Sequence, residues 1–264
     1  IWWSTLQQGD MARARAMAER TLVLADSRGD DLLRFAAHSA LGMTLVHTGD
    51  MPRAQQNLSQ ALELHRGADD ELPQAMFSIE PGVQLASYLA VSLWSQGQPS
   101  AAASRMRSAL ARAERLRHPM TLVLALHFEA LLRLMESDFT HALAATRQAL
   151  HLVEEHQLER ASGPLWWIHG RAVAAAGDVD GGMEAMHPDK TLPQQHGLAY
   201  GLTRWYHAYA QVCLQAGRPA QALEAVQEGL AMAHRTGELG VVPELYQVQG
   251  QAQATGNAPA EAEA

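Results

Sequence analysis

Two residue types are almost missing from this chain of 264 residues: cysteine occurs only at Cys213, and lysine only at Lys190. A single cysteine excludes a disulfide framework and a cysteine-based zinc site. Lys190 is not preceded by the Gly-x-x-x-x-Gly frame of a phosphate-binding loop. The thirteen histidines form no His-Glu-x-x-His pattern, and no Gly-x-Ser-x-Gly elbow is present. We therefore expect a chain that is not an enzyme and uses no cofactor or metal.

The chain also lacks long apolar runs and an excess of positive charge. No run approaches the length of a membrane span, and no signal peptide precedes the first predicted helix. A net charge of -8 argues against a general nucleic-acid surface. Runs of β-branched residues are absent, while Ala, Leu, Gln, Arg and Glu dominate. We expect an all-α, cytoplasmic protein with neither membrane nor nucleic acid as a partner.

A small residue that recurs with a period of 40 positions organises the sequence. We call these residues the turn positions: Gly9, Gly49, Gly97, Ser137, Gly177 and Gly217. The step is 40 residues except between Gly49 and Gly97, where it is 48. A second small residue follows five positions later: Ala14, Ala54, Ala102, Ala142, Gly182 and Ala222. A fixed period of 20–50 residues is typical of a repeat solenoid.

Each repeat is predicted to be a pair of helices, which we call the A helix and the B helix. The turn position closes the A helix in the left-handed conformation, which glycine accepts readily. An Asp or a nearby Pro then begins the B helix. The small residues that flank the turn, among them Gly42 and Ala54, face each other and allow the two helices to approach closely.

The predicted fold is a right-handed α-solenoid of about six helix pairs with a terminal capping helix. The predicted ranges are 1–8 with 11–27, 30–48 with 51–66, 81–96 with 99–117, 119–136 with 139–157, 163–176 with 179–187, 197–216 with 219–236, and 241–253 alone. Residues 1–253 form the repeat domain, and 254–264 form a frayed tail. Because the chain begins at Ile1 within an A helix, we expect a fragment of a longer protein.

Two segments interrupt the repeat. Residues 67–82 contain two prolines, two glycines and an acidic cluster, which predict a loop that holds the eight additional residues. Pro188 and Pro193 exclude a regular helix through 187–196, so the fifth B helix should be short and the stacking uneven there.

The pattern Gly49, Ala54 and Ala61-Leu62 recurs at Gly97, Ala102 and Ala109-Leu110, and it resembles the tetratricopeptide repeat. The longer period and four short stretches are similar to the C-terminal repeat region of bacterial predicted ATPases, class III adenylate cyclases and large transcriptional regulators. Those stretches are 93–99, 116–119, 236–238 and 244–246. The resemblance implies a sensing or docking region without its output domain.

The A helices should line the concave surface, where equivalent positions before each turn point into the groove. In the C-terminal half these positions hold aromatic, cationic and amide side chains. We call them the concave strip: His127, Trp167, Arg171, Arg204, His207 and Gln211. Exposed Trp and Arg side chains in a concavity are typical of binding hot spots. The sequence therefore predicts a binding groove at this strip.

Two functions remain open at this point. The groove binds a protein segment, or neighbouring domains of the same protein; alternatively, it holds a small-molecule effector that controls an attached ATPase, cyclase or DNA-binding module. A long open groove would favour the first, and a closed pocket around Trp167 and His207 would favour the second.

Overall fold

The computed structural model describes residues 1–67, 79–158, 161–187 and 199–256. Within these ranges the chain is all-α, with six helix pairs and a terminal helix and no strand. The pairs are α1 (Trp2–Gln7) with α2 (Met11–Arg28), α3 (Asp31–Thr48) with α4 (Met51–Gly67), α5 (Pro81–Ser95) with α6 (Pro99–Leu116), α7 (Pro119–Met135) with α8 (Phe139–Glu155), α9 (Ser162–Ala175) with α10 (Val179–Ala185), and α11 (Leu202–Gln215) with α12 (Pro219–Thr236). The terminal helix of the described residues is α13 (Val242–Gly256). The predicted all-α repeat fold is confirmed.

The predicted turns are present at every repeat. All six turn positions have positive φ, from 60° at Ser137 to 109° at Gly177. The following Asp caps several B helices: the side chains of Asp10 and Asp178 accept hydrogen bonds from the backbone N–H groups of Arg13 and Gly181, each at 2.9 Å. These caps satisfy amide donors that the first turn of a helix leaves free.

The small residues pack where the repeat places them. Ala54, Ala102 and Ala142 are each 0% exposed, as predicted. Across the fifth pair, a Cβ on Gly170 would lie 2.6 Å from the carbonyl oxygen of Gly182. Small residues therefore set the distance between the A and B helices of one unit.

Successive repeats are joined by hydrogen bonds between residues about one period apart. Ser92 Oγ donates to the Met51 carbonyl oxygen at 2.9 Å, and Gln96 Nε2 donates to Gln55 Oε1 at 2.8 Å. Consecutive A helices also pack against each other, as α5 does with α7 and α9 with α11, whereas within the described residues no two consecutive B helices share more than marginal contact. The A helices therefore lie on the inner side of the curve.

The core runs along the length of the stack. One cluster of buried apolar side chains extends from Ala18 to Val212, and a second joins α11, α12 and α13. The cysteine, Cys213, is 0% exposed and belongs to the second cluster. Its burial raises the pKa of the thiol.

The structure differs from the predicted boundaries at the sixth repeat and at the C-terminus. Helix α11 begins at Leu202 instead of 197, because the backbone N–H of Ala199 donates to the carbonyl oxygen of Gln7 at 2.9 Å and Gly201 has a φ of 80°. Helix α10 ends at Ala185, and α13 continues to Gly256, past the predicted start of the tail. The loop prediction falls mainly on 68–78, the proline-rich segment on 188–198 and the remaining tail on 257–264, all outside the described residues.

The two ends of the stack meet. The carbonyl oxygen of His47, at the end of α3, accepts a hydrogen bond of 2.9 Å from the backbone N–H of Gly240, between α12 and α13. At the same junction a Cβ on Gly49 would lie 3.2 Å from the Cα of Gly240. The first two repeats thus contact the last one, and the superhelix closes on itself.

Candidate ligand-binding groove

Five members of the concave strip lie together on the inner helices α7, α9 and α11. His127, Arg171, Arg204, His207 and Gln211 are all partly exposed. Arg171 Nε donates a hydrogen bond of 3.0 Å to Gln211 Oε1, which links α9 to α11. The guanidinium of Arg171 also lies 5.3 Å from the centroid of the Phe139 ring, a cation–π contact.

The sixth member, Trp167, lies elsewhere. Its side chain is 6% exposed and belongs to the main apolar core. The expectation that its ring is exposed in the concavity is therefore wrong. An A helix in a solenoid packs against its own B helix and against both neighbouring A helices. Only a narrow stripe of its surface therefore faces the concavity, and Trp167 lies outside that stripe.

The two histidines of the strip lie in a setting that disfavours their charged forms. Burial, together with the nearby charge of Arg204, lowers the pKa of His127 from 6.5 to about 4. Burial likewise lowers the pKa of His207 to about 4, together with Arg204 and Arg171. Both imidazoles are therefore neutral near pH 7, and each can donate one hydrogen bond and accept another.

Several polar atoms in this region have no hydrogen-bond partner. They are Arg171 Nη1, His127 Nδ1 and Trp205 Nε1, and each of these atoms is itself buried. Native proteins rarely leave such atoms unsatisfied without a structural or functional reason. Burial also lowers the pKa of Arg171, and no carboxylate in the described part of the chain offsets this effect.

In the N-terminal half of the stack, inner side chains contact residues from the other end of the chain. The hydroxyl groups of Tyr88, on α5, and Tyr200 lie 2.8 Å apart, and the Tyr200 ring contacts the His47 ring edge-on with centroids 4.7 Å apart. Burial raises the pKa of Tyr200 to about 12, so the phenol stays protonated. Sequence reasoning did not find Tyr200, because it lies outside the repeat pattern and reaches Tyr88 only through the closure of the superhelix.

Glu238 is a second inner residue that the sequence analysis missed. It is 2% exposed, and its Oε1 lies 3.3 Å from His47 Nδ1. Burial raises the pKa of Glu238, but the hydrogen bond with His47 and the charges of His47 and Arg204 outweigh it and leave the pKa below 4.5. Arg204 therefore acts electrostatically both on the histidines of the concave strip and on Glu238 in the closure contact.

A further polar cluster surrounds Glu80, the N-cap of α5. Glu80 Oε1 lies 3.0 Å from His65 Nε2 and 2.9 Å from Arg112 Nη2, and Oε2 accepts the backbone N–H of Val83 at 2.6 Å. Burial raises the pKa of Glu80, but these hydrogen bonds outweigh it and bring the pKa to about 2. The cluster fixes the start of α5 and lies apart from the concave strip.

The described residues contain no group of three His, Cys, Asp or Glu side chains arranged to hold a metal ion. None of the helices in the described ranges is long and apolar enough to cross a membrane.

Two solved structures share this fold over nearly the whole chain. The Rap protein complexed with Competence and Sporulation Factor aligns with a TM-score of 0.65 and 13% identity, over 96% of this chain and 73% of that one. Aspartyl phosphate phosphatase F from Bacillus subtilis aligns with a TM-score of 0.61 and 14% identity, over 100% of this chain and 72% of that one. The TPR-like repeats of a putative kinesin light chain from Podosopora anserina give a TM-score of 0.48.

No family model and no curated protein matches this sequence. The similarity to the solved structures establishes the fold, a tetratricopeptide-like helical repeat. It does not extend to the bacterial ATPase and cyclase proteins of the sequence resemblance.

Proposed function

We propose that this chain is a non-catalytic helical-repeat scaffold that binds a protein segment in the C-terminal half of its concave surface. The observation that carries the proposal is the grouping of partly exposed polar side chains on α7, α9 and α11 around atoms that lack partners, Arg171 Nη1 and His127 Nδ1. A bound segment would reach the exposed parts of these side chains and form hydrogen bonds with them through its own backbone and side chains.

The fold supports the proposal. Helical-repeat stacks present extended concave surfaces that suit the binding of a chain segment. One of the solved structures compared above is a complex, that of the Rap protein with Competence and Sporulation Factor. By the sequence resemblance, the chain would act in the cytoplasm as part of a bacterial signalling or regulatory protein, and the segment would come from a separate protein or a neighbouring domain.

A small-molecule effector is the second candidate, and the closure of the superhelix favours it. The hydroxyl groups of Tyr88 and Tyr200 meet on the inner side of the N-terminal half of the stack, and the concave strip spans only three A helices. A short groove of this kind suits a short peptide stretch or a compact metabolite.

A selection from a random heptapeptide library displayed on phage tests the proposal. Peptides enriched on the purified chain should bind the variants His207→Ala and Arg204→Ala at least about tenfold more weakly than the wild type, as expected for contact residues. Arg107→Ala is the control, since Arg107 is exposed on the B helix α6. Absence of enrichment would contradict peptide binding, and loss of binding in the Arg107 variant alone would contradict binding at the concave strip. A metabolite library that raises the melting temperature of the wild type but not of Arg204→Ala would favour the effector.

A further inference from the structure

The charge of Arg171 is not balanced within the described residues. Its partners are neutral: the amide oxygen of Gln211 at 3.0 Å and the ring of Phe139 at 5.3 Å. Nη1 is buried and has no hydrogen-bond partner, and none of the ion pairs among the described residues includes Arg171. Arg171 is only partly exposed to water, and an ionised group that is partly desolvated without a counter-charge is costly, because an arginine cannot lose its proton to avoid the cost.

The surroundings of Arg171 add positive charge. Arg204 acts on His207 together with Arg171, so both guanidinium groups lie near this imidazole. Within the described residues, the carboxylate of Glu238 interacts with Arg204, and it is also bonded to His47 on the other side of the closure. One cationic charge therefore remains in excess at the C-terminal end of the strip.

The excess is local. The whole chain has a net charge of -8, so its outer surface does not attract anions in general. An anion that reaches the concave strip meets two guanidinium groups and two neutral imidazoles that can donate N–H bonds. A carboxylate is well suited to this set of donors, because arginine binds carboxylate groups through parallel hydrogen bonds.

We propose that the occupant of the groove is an extended peptide segment with a carboxylate that pairs with Arg171, with Arg204 and His207 beside it. The inference rests on the proposed function and adds the chemical class of the partner. The carboxylate comes either from an Asp or Glu side chain or from the C-terminus of the segment, and the two sources share the same contacts.

Synthetic heptapeptides provide the test. Each peptide is otherwise uncharged and is made in three forms: Asp at one position with acetylated and amidated ends, Asn at that position with the same ends, and Asn with a free C-terminal carboxylate. Their affinities for the wild type are measured by fluorescence anisotropy. We expect one of the two carboxylate forms to bind at least about tenfold more tightly than the blocked Asn form, the size expected of a charge-assisted pair.

The variants are Arg171→Gln and the control Arg107→Gln. We expect Arg171→Gln to remove the preference for carboxylate peptides over the blocked Asn form, and Arg107→Gln to retain the preference. Equal binding of all three forms, or a preference that survives in Arg171→Gln, would overturn the inference and leave peptide binding standing. Failure of every peptide to bind would overturn the proposed function and this inference together.

The stability of a third variant, Arg171→Met, gives a readout independent of any ligand. If Arg171 is kept for a partner, an apolar side chain of similar length should leave the melting temperature at or above that of the wild type, because the unpaired charge is removed. If Arg171 stabilises the fold through its contacts with Gln211 and Phe139, the melting temperature of Arg171→Met should fall below that of the wild type, and Arg171 would be a structural residue instead.

Discussion

Ser137 shows how one residue can depart from a repeat without changing the turn. It occupies the position that glycine holds in the other repeats, and its φ of 60° lies in the left-handed region. Its backbone N–H donates to the Leu134 carbonyl oxygen at 3.1 Å, so the turn forms despite the side chain. The left-handed conformation costs a residue with a Cβ roughly 1–2 kcal/mol.

The free-energy cost of the left-handed conformation can be measured by replacing the serine of one turn with glycine and the glycine of another turn with serine. We expect Ser137→Gly to raise the free energy of unfolding by about 1 kcal/mol and Gly97→Ser to lower it by a similar amount. Gly97 is the matched position, since it has a φ of 74° and a Cβ there would meet no atom within 4 Å. Urea denaturation measures both, and a Gly97→Ser variant as stable as the wild type would show that backbone strain is unimportant in these turns.

His127 and His207 should make stability depend on pH. Their pKa values in the folded chain are about 4 and that of an ordinary histidine is 6.5, so below pH 6.5 the unfolded chain takes up protons that the folded chain does not. The free energy of unfolding should therefore be highest above pH 6.5, and it should fall by a few kcal/mol in total between pH 6.5 and 4. The charges that face these imidazoles are those of Arg204 and Arg171.

Thermal melts of the wild type and the double variant His127→Gln/His207→Gln measure this effect. The melting temperature of the variant should change less between pH 6.5 and 4 than that of the wild type. Both proteins should still lose stability below pH 4.5, because the carboxylate of Glu80, with a pKa of about 2, stabilises the fold less there. Identical curves for the two proteins above pH 4.5 would refute the assignment.

Among the helices, the close contact of each A and B pair is the feature most sensitive to side-chain size. We expect Ala102→Leu, at a residue that is 0% exposed, to lower the free energy of unfolding by about 1–3 kcal/mol through overpacking. Ala101→Leu is the control, because Ala101 precedes it on α6 and is exposed. Equal denaturation midpoints for the two variants would mean that the A and B helices can separate at no cost.

The helix pairs could be predicted because their determinants are local. A small residue at each turn and the spacing of the flanking alanines fix the register without knowledge of distant contacts. The start of α11 could not be predicted, since it is set by the bond between Ala199 and Gln7 across the superhelix. The burial of Trp167 was missed for a related reason: the offset from a turn gives the direction of a side chain but not the position of the neighbouring helices.

For the molecule as a whole, the contact between the ends can be tested with a pair of glycines. A methyl group on Gly240 would lie 2.9 Å from the Val46 carbonyl oxygen, whereas one on Gly250, in α13, would meet nothing within 4 Å. We expect Gly240→Ala to loosen the closure and increase the radius of gyration measured by small-angle X-ray scattering, and Gly250→Ala to leave it unchanged. An unchanged radius in both variants would show that the junction adapts to the added methyl group.

The closure also changes how the chain should fold. In an open solenoid each repeat contacts only its neighbours, so that repeats at either end can unfold one at a time. Here His47 and Glu238 meet although they are 191 residues apart, and fraying of the first or last repeat breaks contacts with the other end. Unfolding should therefore be more cooperative than in an open stack, and folding should be slower, because the entropy of closing this long loop opposes formation of the last contacts.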